Sequence, residues 1–132
     1  MQIPEQHRPH VEARLRSDLI AWLTTVRPSG MPDTVPIWFV WTDGRFVVYS
    51  EPGKPKLRNL ARQPRVSLAL DDTRGGDDVV RFEGTAEVAE DHPAADGVPE
   101  YVAKYSERIA ELGYGDPASF ARMWSPTVIG SG

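Results

Sequence analysis

The segment Tyr49-Ser50-Glu51-Pro52-Gly53-Lys54-Pro55-Lys56 gathers two hydroxyls, a glycine and two ammonium groups where an extended run gives way to a helical pattern. Those residue types suit a small anion, and phosphate above all. Ser50 can donate a hydrogen bond, Lys54 and Lys56 charge-assisted ones, and the first N–H groups of the following helix add partial positive charge. Pro55 limits the loop's freedom, so less entropy is lost on binding. The basic character continues through Arg58, Arg62 and Arg65, with no acid from Pro52 to Leu70. A solvated basic helix face is the plainer alternative, and the residue types alone leave both open.

A second feature is Thr34-Val35-Pro36-Ile37-Trp38-Phe39-Val40-Trp41, apolar on both alternating faces. One face can fill a core while the other meets a partner or a planar ligand. Pro36 has no N–H to give a ladder, so it marks an edge or bulge where neighbouring backbone groups become available to a heterocycle. Trp22, Trp38 and Trp41 offer ring faces for stacking, or large side chains for a core or dimer interface. The three histidines, His7, His10 and His92, have no metal-ligand spacing, and no nucleophile motif occurs. No residue is assigned a catalytic role and no metal site is expected. Asp71, Asp72, Asp77 and Asp78 around Gly75-Gly76 read as solubilising charge.

The elements that must position these groups fit in 132 residues, the length of one domain, 1–132, with enough chain to bury a core unaided. With no cysteine there is no disulfide framework, thiolate metal site or cysteine nucleophile. The polar start, Met1 to Arg16, lacks the apolar core of a signal peptide, and no apolar run is long enough to span a bilayer, so a cytoplasmic protein without a membrane partner is expected. The net charge of -4 hides an asymmetry: residues 1–70 hold ten Lys/Arg against six Asp/Glu, residues 71–132 five against thirteen. One basic segment on an acidic chain suits a small anion better than nucleic acid, which usually asks for a whole basic face.

Pro9, with Val11 and Leu15 at i, i+4 spacing, predicts a short helix to about Asp18 that packs as a lid. Leu19–Arg27, Asp33–Trp41 and Arg45–Ser50 read as three strands of a meander, joined by Pro28-Ser29-Gly30 and Asp43-Gly44. Lys56–Arg62 is a short helix carrying Leu57 and Leu60 on one face, and Arg65–Leu70 a fourth strand. Val79–Ala89 alternates as a fifth, with Val80, Phe82, Ala86 and Val88 on one face and Gly84 marking a bulge or bend. Pro99 to Leu112 forms an amphipathic helix, and Pro117–Met123 a further short one. Five or six mostly antiparallel strands with flanking helices predict a mainly β (α+β) fold, a small barrel.

The stretch WLTTVRPSGMPDTVPIWFVWTDGRFVVYSEPGKPKLRNLARQPRVSLAL, followed by VVRFEGTAEV, resembles the pyridoxamine 5'-phosphate oxidase-like split β-barrel superfamily. Within it the chain is most similar to flavin/deazaflavin oxidoreductases of the branch that binds coenzyme F420. The similarity runs from about Arg14 to Glu90, with an echo at Lys104 and Tyr105. It implies an FMN-binding split barrel type of fold in which Ser50, Lys54 and Lys56 hold the cofactor phosphate and Leu57 and Asn59 begin the helix lining that site. Thr34, Val35, Pro36, Ile37 and Trp38 would lie along the tricyclic ring, with Arg27 at its mouth. It also implies a homodimer with cofactor sites at the interface, which would account for the doubly apolar second strand. The chain departs from the family at Trp124–Gly132, shorter than the usual final strand, and at Pro55, where flavin-binding oxidases tend to carry Arg.

The function expected from this resemblance is hydride transfer from reduced F420 to an electron-poor small molecule such as a quinone or enone. The alternatives are an FMN- or haem-binding split barrel, or a cofactor-free dimeric interaction protein.

Overall fold

In the computed structural model, which describes residues 5–50, 54–71, 75–88, 98–112 and 125–130, the β-branched and aromatic runs become seven strands. They are β1 (Ala21–Val26), β2 (Pro32–Ile37), β3 (Phe39–Thr42), β4 (Arg45–Ser50), β5 (Arg65–Leu70), β6 (Arg81–Val88) and β7 (Ser125–Gly130). Three helices accompany them: α1 (Arg8–Ser17), α2 (Pro55–Arg62) and α3 (Pro99–Glu111). Each carries proline in its first two positions, where the missing N–H costs no helical hydrogen bond.

The strands form one antiparallel sheet in the order β2-β1-β5-β6-β7-β4-β3. β2 and β3 stand at opposite ends of that order, yet only Trp38 separates them in sequence. The sheet must therefore curl until its two edges meet at Trp38, which is the split-barrel arrangement. β7, drawn from the short C-terminal segment, fills the gap between β4 and β6.

Two cores result. Inside the curl lie Leu23, Ile37, Phe39, Phe46, Leu68 and Ile129, with Leu15 of α1 and Leu60 of α2 in the same cluster. Phe46 is the hub of its aromatic part, with ring centroids 5.0 Å from Trp41, 5.0 Å from Phe82 and 5.5 Å from Phe39. Outside the curl, Tyr101, Tyr105 and Ile109 of α3 cover Val40, Val47, Tyr49 and Val128.

The second core corrects the sequence reading in two places. Asp33–Trp41 is two strands, and β3 pairs with β4 while β2 pairs with β1, so the expected three-stranded meander does not form. The doubly apolar character of Phe39–Trp41 follows from α3 covering the outer face of β3, a cause within the chain itself. Gly84 is in regular register opposite Val66, without a bulge, and Val88 at the end of β6 is exposed. β1 starts at Ala21 because Leu19 and Ile20 form the approach from α1. The helix expected at 117–123 lies outside the described residues.

Arg14, largely buried beneath α1, ties that helix to the segment after β5. Its guanidinium lies 2.7 Å from the Asp18 carboxylate and 3.3 Å from that of Asp78. It also donates to the backbone carbonyls of Asp71 and Asp78. Asp78 further holds His10 at 2.9 Å, and Asp71 accepts the indole N–H of Trp22. These two aspartates are thus structural partners as well as surface charge. No helix among the described residues is long and apolar enough to cross a membrane.

Candidate functional site

The β1–β2 hairpin and α2 enclose a cleft of about 360 Å³ lined by Arg27, Pro28, Asp33, Pro55, Arg58, Asn59 and Arg62. Arg27 stands at the hairpin turn, where its carbonyl and N–H bond the far side of the loop and Gly30 takes a φ of +89° that suits glycine. Its guanidinium reaches Asp33 at 3.3 Å. α2 buries Leu60 and turns Arg58 and Arg62, one helical turn apart, outward with Asn59 between them. The Asn59 amide donates to the Thr25 hydroxyl at 2.9 Å, a buried bond that fixes α2 against β1.

Among the described residues that line it, three guanidiniums meet one carboxylate, itself engaged by Arg27, a donor set that can receive an anion. Lys54 is the exposed residue preceding α2, with no side-chain cap on the helix, and Lys56 is half-buried in its first turn. Ser50 ends β4, opposite Ser125 of β7. The donor set suits the phosphate-bearing tail of a flavin or deazaflavin.

The expected residues divide between this cleft and other places. Arg27 and Asn59 line it; Lys56 lies in the first turn of α2, next to the lining residue Pro55, and Lys54 immediately precedes that helix. Along β2, Thr34 and Pro36 are exposed on the outer face, where the Thr34 hydroxyl meets that of Thr24 at 2.8 Å. Val35 and Ile37 face inward and pack with the barrel core, as does Leu57 of α2. Trp38 stacks on Tyr105, with centroids 4.7 Å apart and planes within 6°, so one face of its ring is already covered. Arg58 and Arg62 were part of the basic run but not singled out; their i, i+4 spacing opposite Leu57 and Leu60 was the available signal.

Lys104 and Tyr105 clasp the corner between β2 and β3. The Tyr105 hydroxyl accepts the Phe39 N–H at 3.0 Å and lies 2.6 Å from the Leu19 carbonyl and 3.0 Å from that of Phe39. Lys104 Nζ donates to the carbonyls of Leu15 and Phe39, each at 3.1 Å, and stands 3.7 Å from the Phe39 ring centre. The backbone groups of Phe39 released at the corner are therefore taken by α3.

Burial lowers the Lys104 pKa to about 8, with the Asp18 carboxylate pulling the other way. Burial raises both Tyr101 and Tyr105, helped at Tyr101 by its tyrosine neighbours and opposed at Tyr105 by the Phe39 hydrogen bond. A lysine with a lowered folded pKa binds fewer protons than in the unfolded chain, so its contribution to stability rises with pH from about 8 towards its ordinary value of about 10.4. A raised tyrosine holds its proton when the unfolded chain has lost it, so that contribution falls above about pH 10. Chemical denaturation of the wild-type protein and Lys104→Met from pH 7 to 11 should show the rise above pH 8 only in the wild type; parallel curves would contradict the assignment.

The curled sheet, flanking helices and basic cleft define a split-barrel protein of the flavin-binding type of fold. The family model for pyridoxamine 5'-phosphate oxidase matches residues 8–126, and the chain belongs to that family. Among solved structures it is similar to HutZ, the haem storage protein from Vibrio cholerae, at 19% identity and a TM-score of 0.66, over 94% of this chain and 89% of that one. A conserved hypothetical protein from Mycobacterium tuberculosis matches at 22% identity and a TM-score of 0.70, over 99% and 82%. A FAD-binding protein from Mesorhizobium loti matches at 18% and 0.62, over 92% and 85%. No curated protein matches the chain in sequence.

Proposed function

We propose that the chain is a dimeric oxidoreductase that uses the reduced deazaflavin coenzyme F420 to reduce an electron-poor organic molecule such as a quinone, enone or other conjugated carbonyl compound. The observation that carries this reading is the cleft between the β1–β2 hairpin and α2, with Arg27, Arg58 and Arg62 around a volume suited to an anionic tail. When bound, the deazaflavin supplies the hydride. The protein binds and orients: Lys54, Lys56, Arg58 and Arg62 hold the tail, and the exposed outer edge of β2 at Thr34 and Pro36 supports the ring. No acid or base in the cleft is assigned the accompanying proton, which solvent supplies.

A second copy of the chain supplies the other wall of the ring site. Its docking surface is the outer face of β1 and β2, where Trp22, Thr34 and Pro36 are exposed and β2 ends the sheet. Sedimentation as a monomer at micromolar concentration would exclude this arrangement.

Flavin or haem binding is the second reading, favoured by likeness to the FAD-binding protein and to HutZ. Thermal shifts with deazaflavin, flavin mononucleotide and haem separate the readings, since the ligand that prefers the native state raises its melting temperature. Deazaflavin should give the largest shift. A fluorescence titration should then show Lys56→Ala weakening deazaflavin binding by more than about tenfold, through loss of a charge-assisted bond. Unchanged affinity would remove Lys56 from the site. Steeply salt-dependent binding to a polyanion without response to any of the three cofactors would instead identify an interaction protein.

A further inference from the structure

A cavity of about 490 Å³ lies between α1, β3 and α3, and shares no lining residue with the basic cleft. Its volume is within the range of small-molecule sites. The floor is apolar: Leu15 and Val40 are almost fully buried, and Trp41 is half-buried, set edge-on against Phe46. Around this floor stand four ionisable groups, Glu12 and Arg16 from α1 and Glu100 and Lys104 from α3, while β3 presents none.

The four groups differ in how far they are already engaged. The Lys104 ammonium is committed to the carbonyls of Leu15 and Phe39 and to the face of the Phe39 ring, so it lends the wall its charge and no free donor. Glu12 meets Arg8 only at 3.9 Å. The side chains of Arg16 and Glu100 have no hydrogen bond or ion pair with any described residue. The lining charges balance, two negative and two positive. A simple cation entering the cavity meets two cations, and a simple anion two carboxylates. Glu12 and Arg16 are one helical turn apart on the same face of α1, about 6 Å along its axis, so opposite charges on neighbouring atoms of one ligand can engage both.

We propose that this cavity is a binding site for an α-amino acid with an apolar side chain, taken up as the zwitterion. Its ammonium group is received by Glu12 from α1 and Glu100 from α3, and its carboxylate by Arg16 through charge-assisted hydrogen bonds. The charge of Lys104 beneath favours the same orientation. The side chain lies on Leu15, Val40 and Trp41, where burial of its apolar surface supplies the remaining affinity. A ligand with one charge missing leaves either the carboxylates or the guanidinium facing a group of no use to it, so the site discriminates by requiring both signs. This binding is independent of the cofactor reading of the basic cleft.

The test is a titration of the isotope-labelled protein with L-phenylalanine at about pH 7, where a free amino acid is a zwitterion, followed by the indole N–H signals in nuclear magnetic resonance spectra. The Trp41 signal should shift and saturate, while that of Trp22, outside the cavity and bonded to Asp71, stays in place. Phenethylamine and hydrocinnamate, which carry the same ring with only one of the two charges, should bind at least about tenfold more weakly, the worth of one charge-assisted hydrogen bond. Glu100→Gln and Arg16→Gln, both at exposed helix positions, should each weaken phenylalanine by about threefold or more at unchanged melting temperature. A Trp41 signal that does not move would overturn the proposal in the wild-type protein alone. Equal binding of phenethylamine would make this a cation site, and equal binding of phenethyl alcohol a merely apolar one; either would overturn it, as would affinity indifferent to both substitutions.

Discussion

Phe46→Ala is expected to destabilise the protein by about 3–5 kcal/mol, enough to leave it largely unfolded if its total stability is typical for its size. Phe46 is fully buried, and its ring touches those of Phe39, Trp41 and Phe82, which come from two further strands on either side of the barrel. Truncation leaves a hole framed by rings on strands fixed by their own ladders, so the site has little room to collapse. The fully buried position also forfeits the edge-to-face contacts with Trp41 and Phe82. Phe46→Leu keeps much of the volume and should lose less than half as much. A urea midpoint shift equal for the two variants would mean that the interior relaxes around the gap.

Tyr105→Phe should cost about 2–3 kcal/mol, an effect out of proportion to the removal of one oxygen. That oxygen accepts the Phe39 N–H and reaches two carbonyls, at the point where the chain passes from one edge of the sheet to the other. In the phenylalanine variant the ring still stacks on Trp38, so packing is nearly unchanged while a buried N–H loses its partner. Amide hydrogen exchange at Phe39 distinguishes this from general loosening: its protection should drop far more than that of Val47 or Leu68 in the barrel walls. Equal losses at all three would point to a packing defect in α3.

What the sequence made legible was local. The Asp43-Gly44 turn is one case: both residues take positive φ, and β3 and β4 pair directly across it. The basic run beginning at Lys54 and the prolines that open each helix are others, since their physics is contained in a few neighbouring residues. The break at Trp38 was not legible, because Ile37 and Phe39 on either side are equally suited to a strand. What decides it is Tyr105, 66 residues away, whose hydroxyl replaces the ladder partner that Phe39 loses.

The same distance hid part of the site. Arg58 and Arg62 belong to the cleft only because the Asn59–Thr25 bond seats α2 beside the first hairpin, and nothing in the local sequence states that pairing. The outward apolar residue of β3, Val40, belongs to the segment that suggested a partner or a planar ligand, whereas α3 of the same chain covers it.

The placement of the last strand has a consequence for how the molecule comes into being. β7 sits between β4 and β6 in the sheet although it follows every other described element in sequence. As the polypeptide leaves the ribosome, the two N-terminal hairpins can each form, but they belong to halves that stay unjoined until residues 125–130 emerge. Such distant pairings must meet the loop-closure cost before any reward arrives, so assembly is late and slow. Until residues 125–130 emerge, β4 offers a bare margin to any passing strand, and the nascent chain is most prone to aggregate just before they do.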